Sequence, residues 1–369
     1  MTSKLLFIGL VFLVSCRVES NNSSRLFAED PPIVPPKLVW SSLPDLPNEL
    51  GVAGPFVGVQ NDTLIVAGGA NFPRPVWDSQ KDWQDQIWVL PVTESGMKWQ
   101  RGGKLPRALA YGGAVSTPRG VVCIGGNDKN QNHRGVFLLQ WDGVHQETTI
   151  RQYPPLPNPF AFGQAILVGE VIYVAGGQSG LQLESAMNNF WSLNLADQND
   201  RDKFQWRELR AIPTHPRAFN ITAHQHNGDQ DCVYVIGGRH QVEGEVRFLS
   251  DVWEYNPKTE SWRRRADLPR SVTAGTGIGF GQHQIFVLGG DDGSLFSKTD
   301  QLKDQHPGFR KEALIYNALT DTWTSAGATP QNQVTTVPVI LNDRIIIASG
   351  EIRPRVRTPA VWSVQPFKE

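Results

Sequence analysis

Glu351 and Arg357 stand six residues apart in GEIRPRVRT (350–358), with Arg353 and Arg355 between them. A carboxylate can carry protons to and from a reacting group. A guanidinium presents a planar fork of donors that grips carboxylates in a bidentate way. Together these residue types suit a small anionic ligand whose reaction needs proton transfer. The same charges could form a surface ion pair, which would contribute little to stability. Which reading holds depends on the elements that carry the segment.

Those elements repeat. IIIASGE (345–351) is the sixth copy of a β-branched, apolar run that ends in glycine. The earlier copies are LIVAGG (64–69), VVCIGG (121–126), IYVAGG (172–177), VYVIGG (233–238) and IFVLGG (285–290), spaced by 57, 51, 61 and 52 residues, with 60 more to the sixth. Five copies end in Gly-Gly, whereas the sixth sets a glutamate where a flexible glycine is expected at the strand end. Leu/Ile-Pro segments recur between them, as KLPR (104–107), PLPN (155–158), AIPT (211–214) and DLPR (267–270). YNPKTESW (255–262) and YNALTDTW (316–323) share a Tyr-x6-Trp frame.

A period just over fifty with these marks resembles the kelch family, in which each repeat forms one four-stranded propeller blade. The resemblance covers residues 37–369 and implies an all-β, six-bladed kelch β-propeller. LVWSSLPDLP (38–47) is an outermost-strand pattern with no inner strands before it, and AVWSVQP (360–366) is a third-strand pattern with no outer strand after it. The N-terminal strand is therefore expected to complete the last blade and close the ring, leaving no free sheet edge.

Antiparallel order from the axis outward places the loops after the Gly-Gly strands and the Leu-Pro links on the same face of the disc. That face is expected to carry Asn71, Asn127, Asp128, Gln178, Arg239, His240, Asp291, Asp292 and Glu351, the last near the axis, with Arg107, Arg217 and Arg270. Loops on a rigid scaffold are where sites are usually built.

The segment GEIRPRVRTPAVWSV (350–364) is similar to a motif of the sialic acid mutarotase (N-acetylneuraminate epimerase) family, in which Gly-Glu, a short loop and Arg-Thr precede a strand. The similarity extends to GVAGPFVGVQNDTLIVAGGANF (51–72), RALAYGGAV (107–115), HPRAFNITA (215–223) and NDRIIIASGE (342–351). In better-known exported members the counterpart of GVAGPF follows the Gly-Glu blade, so this chain resembles the cyclically permuted branch. A closed ring tolerates that change because the contacts between blades are kept.

The resemblance implies Glu351 and Arg357 as the catalytic pair, with Arg107, Tyr111, Arg217 and Asn71 orienting a small acidic sugar. The reaction opens a cyclic hemiketal and recloses it on the other face. It implies no cofactor and no metal, and a homodimer for which no interface patch is legible. One departure stands out: DDGSLFSKTDQLKDQHPGFRKEALIYN (291–317) is much shorter than the partly helical insertion of the known members, a place where sugar preference can differ.

A non-catalytic kelch module that binds a glycan or protein on the same face is the alternative, though it gives no reason for the Glu351/Arg357 spacing. A radical-copper oxidase would need a tyrosine–cysteine pair and axial histidines, and no such constellation is visible. Basic and acidic residues number 35 and 36, spread along the chain, so no basic face for nucleic acid stands out. His224 and His226 share one side of a strand without an evident third ligand. Cys123 and Cys232 fall inside apolar strands as expected buried singletons, and the twelve tryptophans recur at blade positions as expected packing between sheets.

The leader has its own signature. Lys4 precedes an apolar core over 5–14, too short for a permanent span, and the core ends in LVSC (13–16). This is similar to a bacterial lipoprotein signal (1–16) with Cys16 as the acylated residue; an ordinary secretory signal is the other reading. Residues 17–36 are a polar, proline-ended tether. The protein is expected to be exported, periplasmic or held at a membrane through that lipid alone.

Overall fold

In a computed structural model the chain forms six antiparallel blades, and the structure describes residues 37–94 and 96–367. The signal and tether expectations for 1–36, Cys16 among them, lie outside the described residues. Strands Phe56–Gln60, Gly113–Thr117, Gln164–Val168, Ile221–His226, Gly277–Phe280 and Val339–Leu341 are the first and innermost of their blades. The last blade pairs Val339–Leu341, Arg344–Ala348 and Val361–Phe367, and Lys37–Leu43 adds as its fourth strand. Trp40 lies opposite Val364 and Leu43 opposite Val361, so the N-terminal strand closes the ring in the expected way.

Six apolar clusters hold the ring, one between each pair of neighbouring blades. Between the first two blades Ile65, Val89 and Phe56 meet Cys123, Phe137 and Leu139, all buried. Alternation along each strand sends one set of side chains into the gap on either side. Burial drives the Cys123 thiol far above its ordinary value and pushes Cys232 up to about 12, which leaves both inert.

The tryptophans do more than fill gaps. Trp99, Trp206, Trp262 and Trp323 each donate the indole N–H to a link carbonyl, from Pro44, Pro154, Arg210 and Ala266 respectively, at 2.8–2.9 Å. Each sets an apolar body against the sheet and a polar tip that latches the link, and Trp262 and Trp323 are the tryptophans of the two Tyr-x6-Trp frames.

The Gly-Gly pairs do not always end their strands. In the fourth blade the strand Asp231–Val242 runs through Gly237 and Gly238 with a bulge and continues as a long hairpin with Glu245–Asn256. In the fifth blade the pair closes the strand Gln284–Gly290.

Around the axis runs a closed ring of backbone hydrogen bonds. Gly54, Tyr111, Phe162, Phe219, Ala274 and Thr335 each adopt a left-handed conformation, φ 54° to 63°. Each donates its N–H to the carbonyl of the equivalent residue one blade back, at 2.5–2.9 Å, and Gly54 closes the circle on Thr335. Five of the six are not glycine, so this conformation carries strain that the mutual bonding offsets.

Candidate active site

Above that ring, the residue after each Gly-Gly pairs with a link residue of its own blade. The bridges join Ala53 to Ala70, Ala110 to Asn127, Ala161 to Gln178, Ala218 to Arg239, Thr273 to Asp291 and Val334 to Glu351. Glu351 is therefore in register with Ala70, Asn127, Gln178, Arg239 and Asp291, and it does not replace a glycine. Ser349 does, at φ 57°. Its hydroxyl accepts from the Val52 N–H at 2.8 Å and reaches the carbonyls of Val52 and Thr358 at 2.9 and 2.8 Å, which ties the end of the strand to the first blade.

The six-residue spacing is a hairpin. Strands Glu351–Arg353 and Val356–Arg357 pair across a turn with Pro354 first and Arg355, at φ 66°, second, which sets Glu351 directly opposite Arg357. Pro before a left-handed residue is the pattern of a type II turn. Glu351 Oε1 accepts from Arg357 Nη1 at 2.9 Å and from the Arg355 N–H at 2.8 Å. With side chains only 16% and 3% exposed, this is a recessed ion pair and not a surface one.

Each nitrogen of the Arg357 guanidinium has a partner. Besides Glu351, its Nη2 donates to the Tyr111 hydroxyl at 3.4 Å and its Nε to the Ala70 carbonyl at 3.4 Å. Burial opposes its charge, yet the attraction of Glu351 and Tyr111 holds the guanidinium above its ordinary value. Phe72 packs beneath it at 4.8 Å, and beneath Arg355 at 4.2 Å. Lys81 stands over Tyr111, Trp83 and Phe72 at 4.9–5.8 Å. Tyr111, Phe162 and Phe219 form an aromatic arc over half the axial ring, with centroids 4.6 and 4.7 Å apart.

On the two preceding blades the equivalent positions are Arg239 and Asp291. Burial pushes the Asp291 carboxyl up, against the pull of the Gly293 N–H and Arg239. The 291–309 segment forms short helical turns, Phe296–Lys298, Thr299–Leu302 and Lys303–Gln305. Arg353 holds the carboxylate of Asp304 at 3.0 Å, which ties this loop to the Glu351/Arg357 hairpin. Asp291 and Asp292 accept from the Gly293 and Ser294 N–H groups at 3.0 Å, so the Asp-Asp-Gly run is a turn.

Gly51 holds the hairpin in place. It sits at φ 66°, and a Cβ there would lie 2.1 Å from the carbonyl oxygen of Thr358, next to Arg357. Gly51→Ala is expected to cost at least ~1–2 kcal/mol from the backbone conformation alone. Displacement of Thr358 should carry Arg357 with it. Thermal melting and activity measured together check this, and an active variant with an unchanged melting temperature would show that the contact is slack.

The family model for N-acetylneuraminate epimerase matches residues 32–148 and 153–307. The chain belongs to the N-acetylneuraminate epimerase family. An N-acetylneuraminate epimerase of Haemophilus influenzae (strain PittEE) is 27% identical over 230 residues, which is 56% of this chain and 57% of that protein. One from Brucella suis is 38% identical over 122 residues, 28% of this chain and 30% of that protein. The match thus spans little more than half the length of the first of these relatives and under a third of the second. The solved structure of YjhT superposes with a TM-score of 0.63, covering 88% of this chain and 99% of that one at 14% identity, a likeness of fold.

The sugar-orienting residues implied by likeness to the N-acetylneuraminate epimerases fare unequally. Tyr111 joins the Glu351/Arg357 cluster directly. Asn71 does not face it: the side chain is 4% exposed and donates to the Gly51 carbonyl at 3.1 Å, so it buttresses the link. Arg107 lies in a separate groove with His133, Pro106 and Leu109, its Nη1 3.5 Å from His133 Nδ1. Arg217 is fully buried and grips Asp251 through both terminal nitrogens at 2.9 and 2.8 Å, so no sugar reaches it. Missed as site residues were Lys81, which carries no motif, Phe72 and Phe219, which lie inside the family-like segments 51–72 and 215–223, and Arg239, whose place after a Gly-Gly pair was the available signal.

Proposed function

We propose that the chain is a mutarotase that interconverts the anomers of N-acetylneuraminic acid or a closely related acidic sugar. The observation that carries this is the recessed Glu351/Arg357 pair, set face to face across one hairpin on the axial face of a propeller of this family. The Glu351 carboxylate takes the proton of the anomeric hydroxyl as the bond from the anomeric carbon to the ring oxygen breaks. The ring oxygen must gain a proton as it leaves. The Tyr111 hydroxyl accepts from Arg357, which leaves its own hydrogen free to donate. After rotation about the adjacent carbon–carbon bond, the sugar hydroxyl adds to the other face of the ketone. Glu351 then returns its proton and Tyr111 recovers its own.

Arg357 holds the Glu351 carboxylate in place through its Nη1 and offsets charge that develops on the ring oxygen. Tyr111→Phe is expected to lower kcat by roughly tenfold to a hundredfold, at or below the low end of what positioned acids contribute. An unchanged kcat would hand that proton to water. The reading as a whole is tested by NMR exchange of N-acetylneuraminic acid released as its α-anomer by a sialidase. Acceleration by the purified protein supports it; binding without acceleration would favour the kelch binding module.

Two further parts belong to this reading. A cyclic permutation breaks a colinear match into pieces, and it accounts for relatives that align over only part of their length. Export as a lipoprotein acylated at Cys16 is checked by the mass of the mature N-terminus, and a homodimer by the solution mass of the protein.

A further inference from the structure

Arg239 is the charged group at the mouth that this mechanism leaves unused. Its guanidinium lies 4.3 Å from the centroid of Phe219 and 5.2 Å from that of Phe296. Both rings are held in place. Phe219 belongs to the strained axial ring, and Phe296 packs edge-on against Phe248 at 5.4 Å. Phe248 in turn faces Arg239 in the register of the long fourth-blade hairpin. Gly293 makes room for Phe248, since a Cβ there would come within 2.5 Å of the ring.

Caged in this way, the Arg239 side chain has neither a hydrogen bond nor an ion pair among the described residues, and its Nε is buried without a partner. The buried guanidiniums of Arg217, Arg265 and Arg357 each hold a carboxylate at 2.6–2.9 Å. A guanidinium partly withdrawn from water without an anion costs free energy that a bound carboxylate can offset. Burial lowers the affinity of Arg239 for its proton, against the attraction of Asp291 and Glu351.

We propose that Arg239 is the anchor for the carboxylate of the sugar. This rests on the mutarotase reading above. In a 2-keto sugar acid the carboxylate is bonded to the anomeric carbon itself, so its anchor must stand within a sugar's width of the acid/base residue. Arg357 is less suited to that task, because its charge is already paired with Glu351 and its Nε and Nη2 already reach the Ala70 carbonyl and the Tyr111 hydroxyl. Arg239 offers a fork without a carboxylate partner two blades before Glu351, and the rings that hold it lower the entropy cost of ordering a long side chain.

The test compares N-acetylneuraminate with its neutral C1 amide in the wild type, Arg239→Gln and Arg239→Lys, each checked for folding by its melting curve. Arg239→Gln is expected to raise KM for the acid by about 10- to 100-fold, the worth of a charged hydrogen bond, with a smaller change in kcat. The amide should be handled alike by wild type and Arg239→Gln, and Arg239→Lys should recover part of the loss for the acid. If the wild type accelerates anomerisation and Arg239→Gln keeps its KM for the acid, the assignment of Arg239 is overturned alone. If Arg239→Gln misfolds, Arg239→Lys decides, because loss of the fork with the charge kept must still raise KM. No acceleration by the wild type would overturn the mutarotase reading and the sugar anchor with it.

Discussion

Glu351→Gln is expected to slow anomerisation by ~10²–10⁴-fold, the usual range for loss of a positioned acid/base group. The propeller and its affinity for the sugar should remain. The amide oxygen of glutamine can accept from the Arg355 N–H and from Arg357 as Glu351 does at 2.8 and 2.9 Å, so the hairpin keeps its shape. What disappears is the negative charge that can take a proton. The Arg357 guanidinium, 3% exposed and held charged by Glu351, would then lack its counter-charge. An acidic sugar should bind the variant at least as tightly as the wild type. NMR exchange rates with a parallel binding titration decide the matter. Normal exchange would remove Glu351 from the mechanism, and joint loss of exchange, binding and thermal stability would make the pair a structural one.

The second large effect concerns stability. Arg217→Met is expected to cost about 3–5 kcal/mol, the usual result of removing one partner from a buried ion pair. KM for the sugar should barely change. Arg217 is wholly buried, donates to the Gly237 carbonyl at 3.0 Å and binds both oxygens of Asp251. Burial tends to raise the Asp251 pKa, but the hydrogen bonds and charge of Arg217 outweigh it and leave the carboxyl below its ordinary value. A folded pKa below the unfolded one of about 3.9 means stability that is present above that pH and lost as pH falls through the folded value.

In Arg217→Met the sign reverses. Asp251 then sits partly buried without its cation and gains by taking a proton. The stability gap between the two proteins should therefore be widest near neutral pH and narrow below about pH 4. Denaturant melts at several pH values measure it. A variant as stable as the wild type but with a raised KM would return Arg217 to the sugar site.

Much of this architecture was legible in the residues. The period near fifty, the apolar runs and the half-blades at either end specify six sheets and their closure, because strand alternation and turn chemistry are local. The two chain ends lacked complementary strands, and 37–43 against 361–367 supply them. The hairpin was nearly as open to reading, since a turn with Pro354 followed by Arg355 leaves Glu351 opposite Arg357.

Partners from distant segments were not legible. Nothing local distinguishes Arg217, committed to Asp251 34 residues on, from Arg239, which has no partner among the described residues. Both follow short link or Gly-Gly motifs and both carry the same charge. The choice is made by which carboxylate the neighbouring blade brings within reach and which rings wall off the water.

The sequence by itself therefore determined the six blades, their closure and the face that holds the charged hairpin, through periodicities that act over a few residues. Only the tertiary structure decided which of the charged residues on that face are free to meet a ligand. Tyr111 and Arg357, 246 residues apart, touch because the ring closes. The charge state and availability of each group depend on burial and on contacts of that long-range kind.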